Sequence, residues 1–221
     1  IAHDFNNLMV IIRLNNSLAM KKSDSAEINA YLDQIDTASE RAENLTRQLL
    51  IFSRRQPTEI TALDLNRKIT NTLRMLKRLI SENIVISTSL APDIGLISSD
   101  KANIEQIIMN LVINARDAMP GGGRISLRTE RVDVGGSSHP PASSGSHVKL
   151  TVEDTGVGMD GNVIKHIFEP FFSTKGPRGT GLGLAVVHNI VRDLGGWIDV
   201  ESRPGEGTSF ELYFPSVEDG R

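Results

Sequence analysis

Four groups of residues in this chain combine types and spacings that could do chemistry. His3 and Asp4 stand at the start of the sequence, with Asn6 and Asn7 just beyond Phe5. At about 100° per residue, His3 lies opposite the mean direction of Ile1, Phe5, Leu8 and Ile12, and Asn7 shares its face one turn on. An imidazole with one unprotonated nitrogen can accept a phosphoryl group, while a neighbouring carboxylate holds the other N–H. An isolated histidine in such a place reads first as a solvated surface residue. Asn110 and Asn114 stand one turn apart in a helical stretch. Their amide oxygens are hard ligands of the kind Mg²⁺ accepts alongside phosphate and water. Asparagine is a poor mid-helix residue, so two on one face invite a reason beyond surface or capping roles.

Asp154, Gly156 and Gly158 follow an apolar run. A carboxylate at a strand end can accept from an exocyclic amine such as that of adenine, and the glycines let backbone approach a base closely. Without such a ligand the segment is an ordinary glycine-rich turn. Finally, Lys175 and Arg178 precede Gly179, Thr180, Gly181, Leu182 and Gly183, a run that opens a helix. Free N–H groups at a helix N-terminus bind phosphate, helped by the macrodipole. The run lacks the lysine of a Walker loop, and no βαβ unit with a ribose-binding acid marks a dinucleotide site.

The elements that must position these groups divide the chain in two. All 19 glycines lie at or after Gly95 and the first proline is Pro57, so the opening segment favours long helices. Ile28, Leu32, Ile35, Ala38, Ala42, Leu45, Leu49 and Phe52 follow 3/4 spacing, a coiled-coil-like seam, and a polar break over Lys21–Ser25 separates it from the helix that carries His3. Two such helices have too little partner surface alone, and a four-helix bundle made by two chains is the economical solution. Packing of the hairpin on its own second domain is the alternative. Beyond Pro57 the pattern predicts helices over Leu65–Ile80, Ala102–Met119 and Leu182–Leu194. Strands are expected over Ile84–Leu90, Ile125–Val132 and Val148–Glu153, with a closing hairpin of Trp197–Ser202 and Thr208–Phe214. Gly135–Ser146 reads as a loop.

With 24 basic against 27 acidic residues the net charge is -3, without the basic excess of a nucleic-acid binder. No run of about 18 apolar residues predicts a membrane span. The absence of cysteine removes disulfides and thiolate metal sites and suits a reducing, cytoplasmic setting. The chain opens at Ile1 in what reads as mid-helix, and it is read as part of something longer.

Taken in order, the motifs resemble the H, N, G1, F and G2 boxes of the catalytic core of a two-component sensor histidine kinase, the F box being Phe168, Phe171 and Phe172. The resemblance implies a dimerisation and histidine-phosphotransfer hairpin over residues 1–57, followed by an α/β sandwich ATP-binding domain of the Bergerat type over 58–221. It implies that His3 accepts the γ-phosphoryl of ATP, that Asp4 is the general base, and that Asn7 orients water for dephosphorylating a partner. Asn110 and Asn114 would bind Mg²⁺ and phosphate, and Asp154 with Gly156 and Gly158 would read adenine. Lys175, Arg178, Gly179, Thr180, Gly181, Leu182, Gly183 and Thr208 would complete the ATP site, with residues from about 161 to 180 as its mobile lid. Within the ATP domain, the composition of Ile164–Gly181, with Gly176, Pro177, Gly179 and Gly181 beside Lys175 and Arg178, predicts the most nucleotide-sensitive segment. A homodimer and the receiver domain of a response regulator are the implied partners, and a subgroup with similar motifs often carries a receiver in the same chain. One position departs from the family: Asp117 stands where many members carry a lysine or arginine facing phosphate, which shifts that burden to Lys175 or Arg178. Two other readings share parts of the pattern. An ATP-driven clamp of the chaperone and mismatch-repair type resembles the chain at Asn114, Asp117 and Ala118, but it has a glutamate where Asn110 stands. A scaffold that binds nucleotide without catalysis has no use for His3.

Overall fold

The computed structural model describes residues 2–23, 25–36, 39, 60–77, 80–135, 145–175 and 179–217, with side chains from Val10 onward. The chain divides into two compact units, Ile1–Gln56 and Pro57–Arg221.

In the first unit, α1 spans Ala2–Lys22 and α2 covers residues 26–36. The break at Ser23–Ser25 turns the chain back, as the polar run there predicts. Two cross-helix contacts set an antiparallel hairpin: Arg13 Nε donates to Asp36 Oδ1 at 3.1 Å, and Asn16 Nδ2 donates to the Leu32 carbonyl at 2.6 Å. Pairing 13 with 36 and 16 with 32 fixes the register. Much of the apolar surface of the hairpin faces outward. Val10, Ile11, Leu14 and Leu18 on α1 are exposed, as are Ile28, Tyr31 and Ile35 on α2. The seam positions Ala38, Ala42, Leu45, Leu49 and Phe52 lie outside the described residues.

The second unit is a two-layer α/β fold. Its strands are β1 (Thr61–Leu63), β2 (Ile84–Leu90), β3 (Leu96–Ser99), β4 (Gly123–Val134), β5 (Gly145–Asp154), β6 (Trp197–Arg203) and β7 (Gly207–Val217). They form one mixed sheet in the order β1-β3-β7-β5-β4-β2, with β6 also paired to β7. The β2–β4 pair is parallel and the others are antiparallel. Alternation decides the faces. Ile125 and Leu127 of β4, Val148, Leu150 and Val152 of β5, and Phe210, Leu212 and Phe214 of β7 are buried in one core. Helices α3 (Leu65–Leu76), α4 (Lys101–Asp117) and α6 (Gly183–Asp193) supply the other half of that core, and α5 (Gly161–His166) is a short connector. Aspartates start three of the four helices. Asp64 accepts from Arg67 N, Asp100 from Ala102 N, and Asp160 from both Asn162 N and Val163 N, each satisfying an otherwise orphaned donor.

Helix α4 has one face in the core and one face in the polar part of the molecule. Ile104, Ile107, Ile108, Leu111, Val112 and Ala115 are buried. The opposite stripe carries Asn110, Asn114 and Asp117 at i, i+4 and i+7, one continuous polar face. The predicted helix over Leu65–Ile80 is shorter in the structure and closes at Leu76, where the Lys77 N–H bonds back to the carbonyl of Leu73.

Candidate functional site

The C-terminal end of α4, the end of β5 and the start of α6 meet around one cleft. At its buried end lies Asp154, the last residue of β5, 6% exposed. Its Oδ1 accepts from Gly156 N at 2.8 Å, so the turn after the strand locks the carboxylate in place. Burial pushes this carboxyl above the usual range, and the backbone donors of Gly156 and Thr208 oppose that rise without cancelling it. A carboxylate fixed by backbone donors and shielded from solvent is suited to accept a hydrogen bond from a flat polar ligand.

The glycines here are demanded by close approach. A Cβ at Gly156 would lie 2.7 Å from both the Cβ and the carbonyl oxygen of Ala118, and 2.8 Å from Asp154 Oδ1. Gly158 has φ +65°, and a Cβ there would strike the Arg203 carbonyl. The Val157 N–H donates to Ala118 O at 3.0 Å, so the turn is tied to the end of α4 as well as to β5. Thr208, across from Asp154 in the β5–β7 register, is buried, and its hydroxyl lies 2.9 Å from Ser202 Oγ. Ser202 also receives Met159 N and donates to Gly207 O, both at 2.8 Å. This serine braces the floor of the cleft. The sequence predicts the β6–β7 hairpin but not this role, because the partner that Ser202 holds outside that hairpin, Met159, lies 43 positions away.

The other end of the cleft is polar and open. Asn110 Nδ2 donates to the Gly183 carbonyl at 3.2 Å, joining α4 to the first residue of α6. A Cβ at Gly183 would sit 3.7 Å from Asn110 and 3.8 Å from Asn114 Nδ2, so both amides border the N-terminus of α6. The N-cap of that helix is Leu182, which makes no side-chain cap hydrogen bond. No side chain at the N-cap satisfies the first-turn N–H groups, and free N–H groups at a helix N-terminus are of the kind that bind phosphate. Gly181, at φ +66°, returns its carbonyl to Phe171 N at 2.9 Å, which closes the segment between α5 and α6 back onto itself. Lys175 on that segment reaches across to α4. Its Nζ lies 3.1 Å from Asn114 Oδ1 and 2.9 Å from Asp117 Oδ2. Burial alone would raise the Asp117 carboxyl, but hydrogen bonds from Lys175 and Arg116 outweigh it and hold the group below the usual carboxylate range.

Of the residues singled out from sequence, the structure brings Asn110, Asn114, Lys175 and Gly183 together at the open end. Asp154, Gly156, Gly158 and Thr208 meet at the buried end. Gly179 packs against Ser173 and Lys175, and Thr180 adjoins Gly181 in the same segment. Arg178 lies outside the described residues. His3, Asp4 and Asn7 fall in the first two turns of α1, and their side chains also lie outside the described part. Asp117, in sequence an unfavourable departure from the family pattern, is the carboxylate partner of Lys175.

Among the described residues, no group of three or more His, Cys, Asp or Glu could hold a metal ion unaided. The donors at the open end are amide and carboxylate oxygens beside a phosphate-type helix terminus. That set fits a hard divalent ion arriving with phosphates.

Residues 99–218 match the family model described as histidine kinase-, DNA gyrase B-, and HSP90-like ATPase. Over 98% of its length the chain is 37% identical to the sensor kinase CckA of Brucella abortus, covering 24% of that protein. Over 97% it is 30% identical to the sensor histidine kinase ZraS of Escherichia coli, covering 44% of it. The chain thus spans less than half the length of these curated relatives. Among solved structures, histidine kinase ThkA in complex with the response regulator protein TrrA aligns with 98% of the chain and 60% of its own, at TM-score 0.67 and 25% identity. Full-length ShkA in complex with AMPPNP shares the fold over 100% of this chain and 45% of its own, at TM-score 0.72 and 21% identity. With its family match covering more than half of the sequence and sensor kinases aligned along nearly all of it, the chain belongs to the histidine kinase-, DNA gyrase B-, and HSP90-like ATPases.

Proposed function

We propose that this chain is the catalytic core of a sensor histidine kinase, which phosphorylates His3 from ATP and passes the phosphoryl group to an aspartate on a response-regulator receiver domain. The observation that carries this reading is the reach of the kinase similarity. It runs along 97% or more of the chain and so includes the helix of His3 as well as the cleft. A clamp-type ATPase would share the cleft alone.

In this mechanism the second unit holds ATP with adenine at Asp154 and the phosphates at the N-terminus of α6. A ring nitrogen of His3 attacks the γ-phosphorus, the bond to the bridging oxygen of the β-phosphate breaks, and ADP leaves. Asp4 holds the other ring N–H and accepts the proton that the imidazole sheds. The receiver aspartate then displaces the phosphoryl group from His3. Asn7, on the same helix face, orients water when the phosphorylated receiver is hydrolysed. Mg²⁺, held through Asn110 and Asn114 together with the phosphates, would neutralise charge on the transferring group. Lys175, Arg178, Gly179, Thr180, Gly181 and Thr208 complete the nucleotide enclosure.

We assign residues 1–57 to dimerisation and phosphotransfer and 58–221 to catalysis. The outward apolar positions of α1 and α2 support a homodimer, since a second copy of the hairpin buries them in a four-helix bundle. The core works where ATP and receiver domains are found, in the cytoplasm. No described helix is long and apolar enough to cross a membrane. Incubation with radiolabelled ATP tests the reading. Acid-labile label on the wild-type chain, absent from His3→Gln, is the expected result; free phosphate without protein label would favour the clamp.

A further inference from the structure

The oxygens of Asn114 and Asp117 converge on a single positive charge. Lys175 Nζ sits between Asn114 Oδ1 at 3.1 Å and Asp117 Oδ2 at 2.9 Å. Both oxygens come from one face of α4, three residues apart, so their spacing is set by a helix and not by a loop. The carboxylate is also aimed. Arg116 Nε and Nη2 donate to Asp117 Oδ1 at 3.0 and 2.8 Å, which leaves Oδ2 turned to Lys175. The Asn114 oxygen that takes the ammonium is the same amide oxygen that would meet the divalent ion.

We infer that Asn114 and Asp117 form one cation seat, occupied in turn by Lys175 and by the divalent ion of the nucleotide, with Asp117 as the positioning residue that governs the exchange. The inference rests on the kinase reading of the cleft. Two cations within ~4 Å of each other repel strongly wherever solvent is thin, so both cannot hold the same oxygen. When the ion takes Asn114, the ammonium gives way and the phosphates become its partner. Asp117 then faces the water shell that Mg²⁺ retains. In either arrangement the carboxylate has a cation opposite it. This also accounts for an acid where the family resemblance points to a base: a lysine or arginine at position 117 would repel both occupants.

Calorimetric binding of a non-hydrolysable ATP analogue to the full chain, repeated across a Mg²⁺ titration, tests the exchange. Lys175→Met removes the competitor and should lower the Mg²⁺ concentration for half-maximal binding by about threefold or more, the scale of an exposed ion pair. Asp117→Asn should raise it. In the Asp117→Asn background, adding Lys175→Met should change it far less than in the wild type. A Lys175→Met midpoint that stays put or moves upward overturns the inference. That includes the case in which binding weakens equally at every Mg²⁺ concentration, because Lys175 would then be a phosphate ligand alone. Lys175 is exposed, so its variant decides the matter even if Asp117→Asn misfolds. Failure of the wild type to bind the analogue at any Mg²⁺ concentration would instead overturn the kinase reading, and this inference with it.

Discussion

Asp154 and Asp117 flank the same end of α4, yet the protein holds them in opposite ways. Asp154 is buried, accepts from backbone N–H groups, and its carboxyl is pushed up by loss of water. Asp117 is exposed, is held by the side chains of Lys175 and Arg116, and its carboxyl is pulled down despite partial burial. The first is part of the scaffold: moving it would move β5, the turn and β7 together. The second can change partners with a rotation of side chains. On the proposed function, a pocket that reads a base at one end and works on phosphates at the other gains from this division. The base needs a fixed frame, and the phosphates need groups that can follow them.

The largest effect should come from the fixed end. Asp154→Ala should weaken binding of the ATP analogue by about 100-fold, the scale of a buried hydrogen bond to a charged group. Inorganic triphosphate, which needs only the open end, should bind nearly as before. Equal losses for both ligands in calorimetry would dissolve the distinction between the ends. Next, Gly156→Ala should cost ~1–3 kcal/mol of stability in thermal or urea unfolding, because its methyl group would meet the Cβ and the carbonyl oxygen of Ala118 at 2.7 Å and Asp154 Oδ1 at 2.8 Å. Asn114→Ala should reduce analogue affinity by about tenfold with Mg²⁺ present, and much less in its absence, without a matching loss of stability.

The two aspartates should also give pH dependences of opposite sign. The folded-state pKa of Asp154 lies above its unfolded value, so the fold favours the protonated form. Its contribution to stability is present at acid pH and is lost as pH rises through the raised pKa. Asp154→Asn should therefore melt no lower than the wild type at neutral pH, or higher, while binding adenine nucleotide poorly. Asp117 behaves in reverse. Its pKa is depressed on folding, so its contribution is present above the unfolded value and is lost as pH falls through the folded one. Unfolding of the two single variants against the wild type between pH 3 and 8 measures both slopes; slopes of the same sign would contradict the contrast. The smallest effect concerns salt. The Lys175–Asp117 pair is exposed enough for ions to screen it, so raising salt should loosen protection of residues 167–175 in hydrogen exchange and leave the Asp154 turn unchanged.

Legibility in the sequence divides along the same line. Asp154, Gly156 and Gly158 lie within five residues, so a strand-end carboxylate and its glycines announce themselves together. The i, i+4 spacing of Asn110 and Asn114 also survives in one dimension, and extending it to i+7 marks Asp117. Its pairing with Lys175 cannot be read there, because 58 positions separate them and either residue alone is an ordinary surface charge. Long elements are legible because burial imposes a period on them, as in β4, β5 and α4. The strands β1 and β3 are not: three and four residues are too few to show alternation, and they are strands only because each finds a partner distant in sequence. Helix α3 ends before its sequence pattern does, because apolar residues continue past Leu76 and spacing alone does not say where the chain turns.

The contact between Gly156 and Ala118 makes α4 a gauge. The Asp154–Gly158 turn is clamped to the end of this helix, while its polar stripe carries the groups that, on the proposed function, meet the charged end of the nucleotide. Asn110 stands eight residues before Ala118, which at 1.5 Å per residue is about 12 Å, and Asn114 about half that. The interval between recognised base and recognised charge is therefore written as a count of helical residues, insensitive to the loops on either side. On the proposed function, ligands would be sorted by length as much as by chemistry: one whose charge lies too near its ring, or too far, would match at one end only. An inserted residue within α4 would lengthen the interval by little, but it would rotate the stripe by about 100° and take the seat away from the cleft altogether.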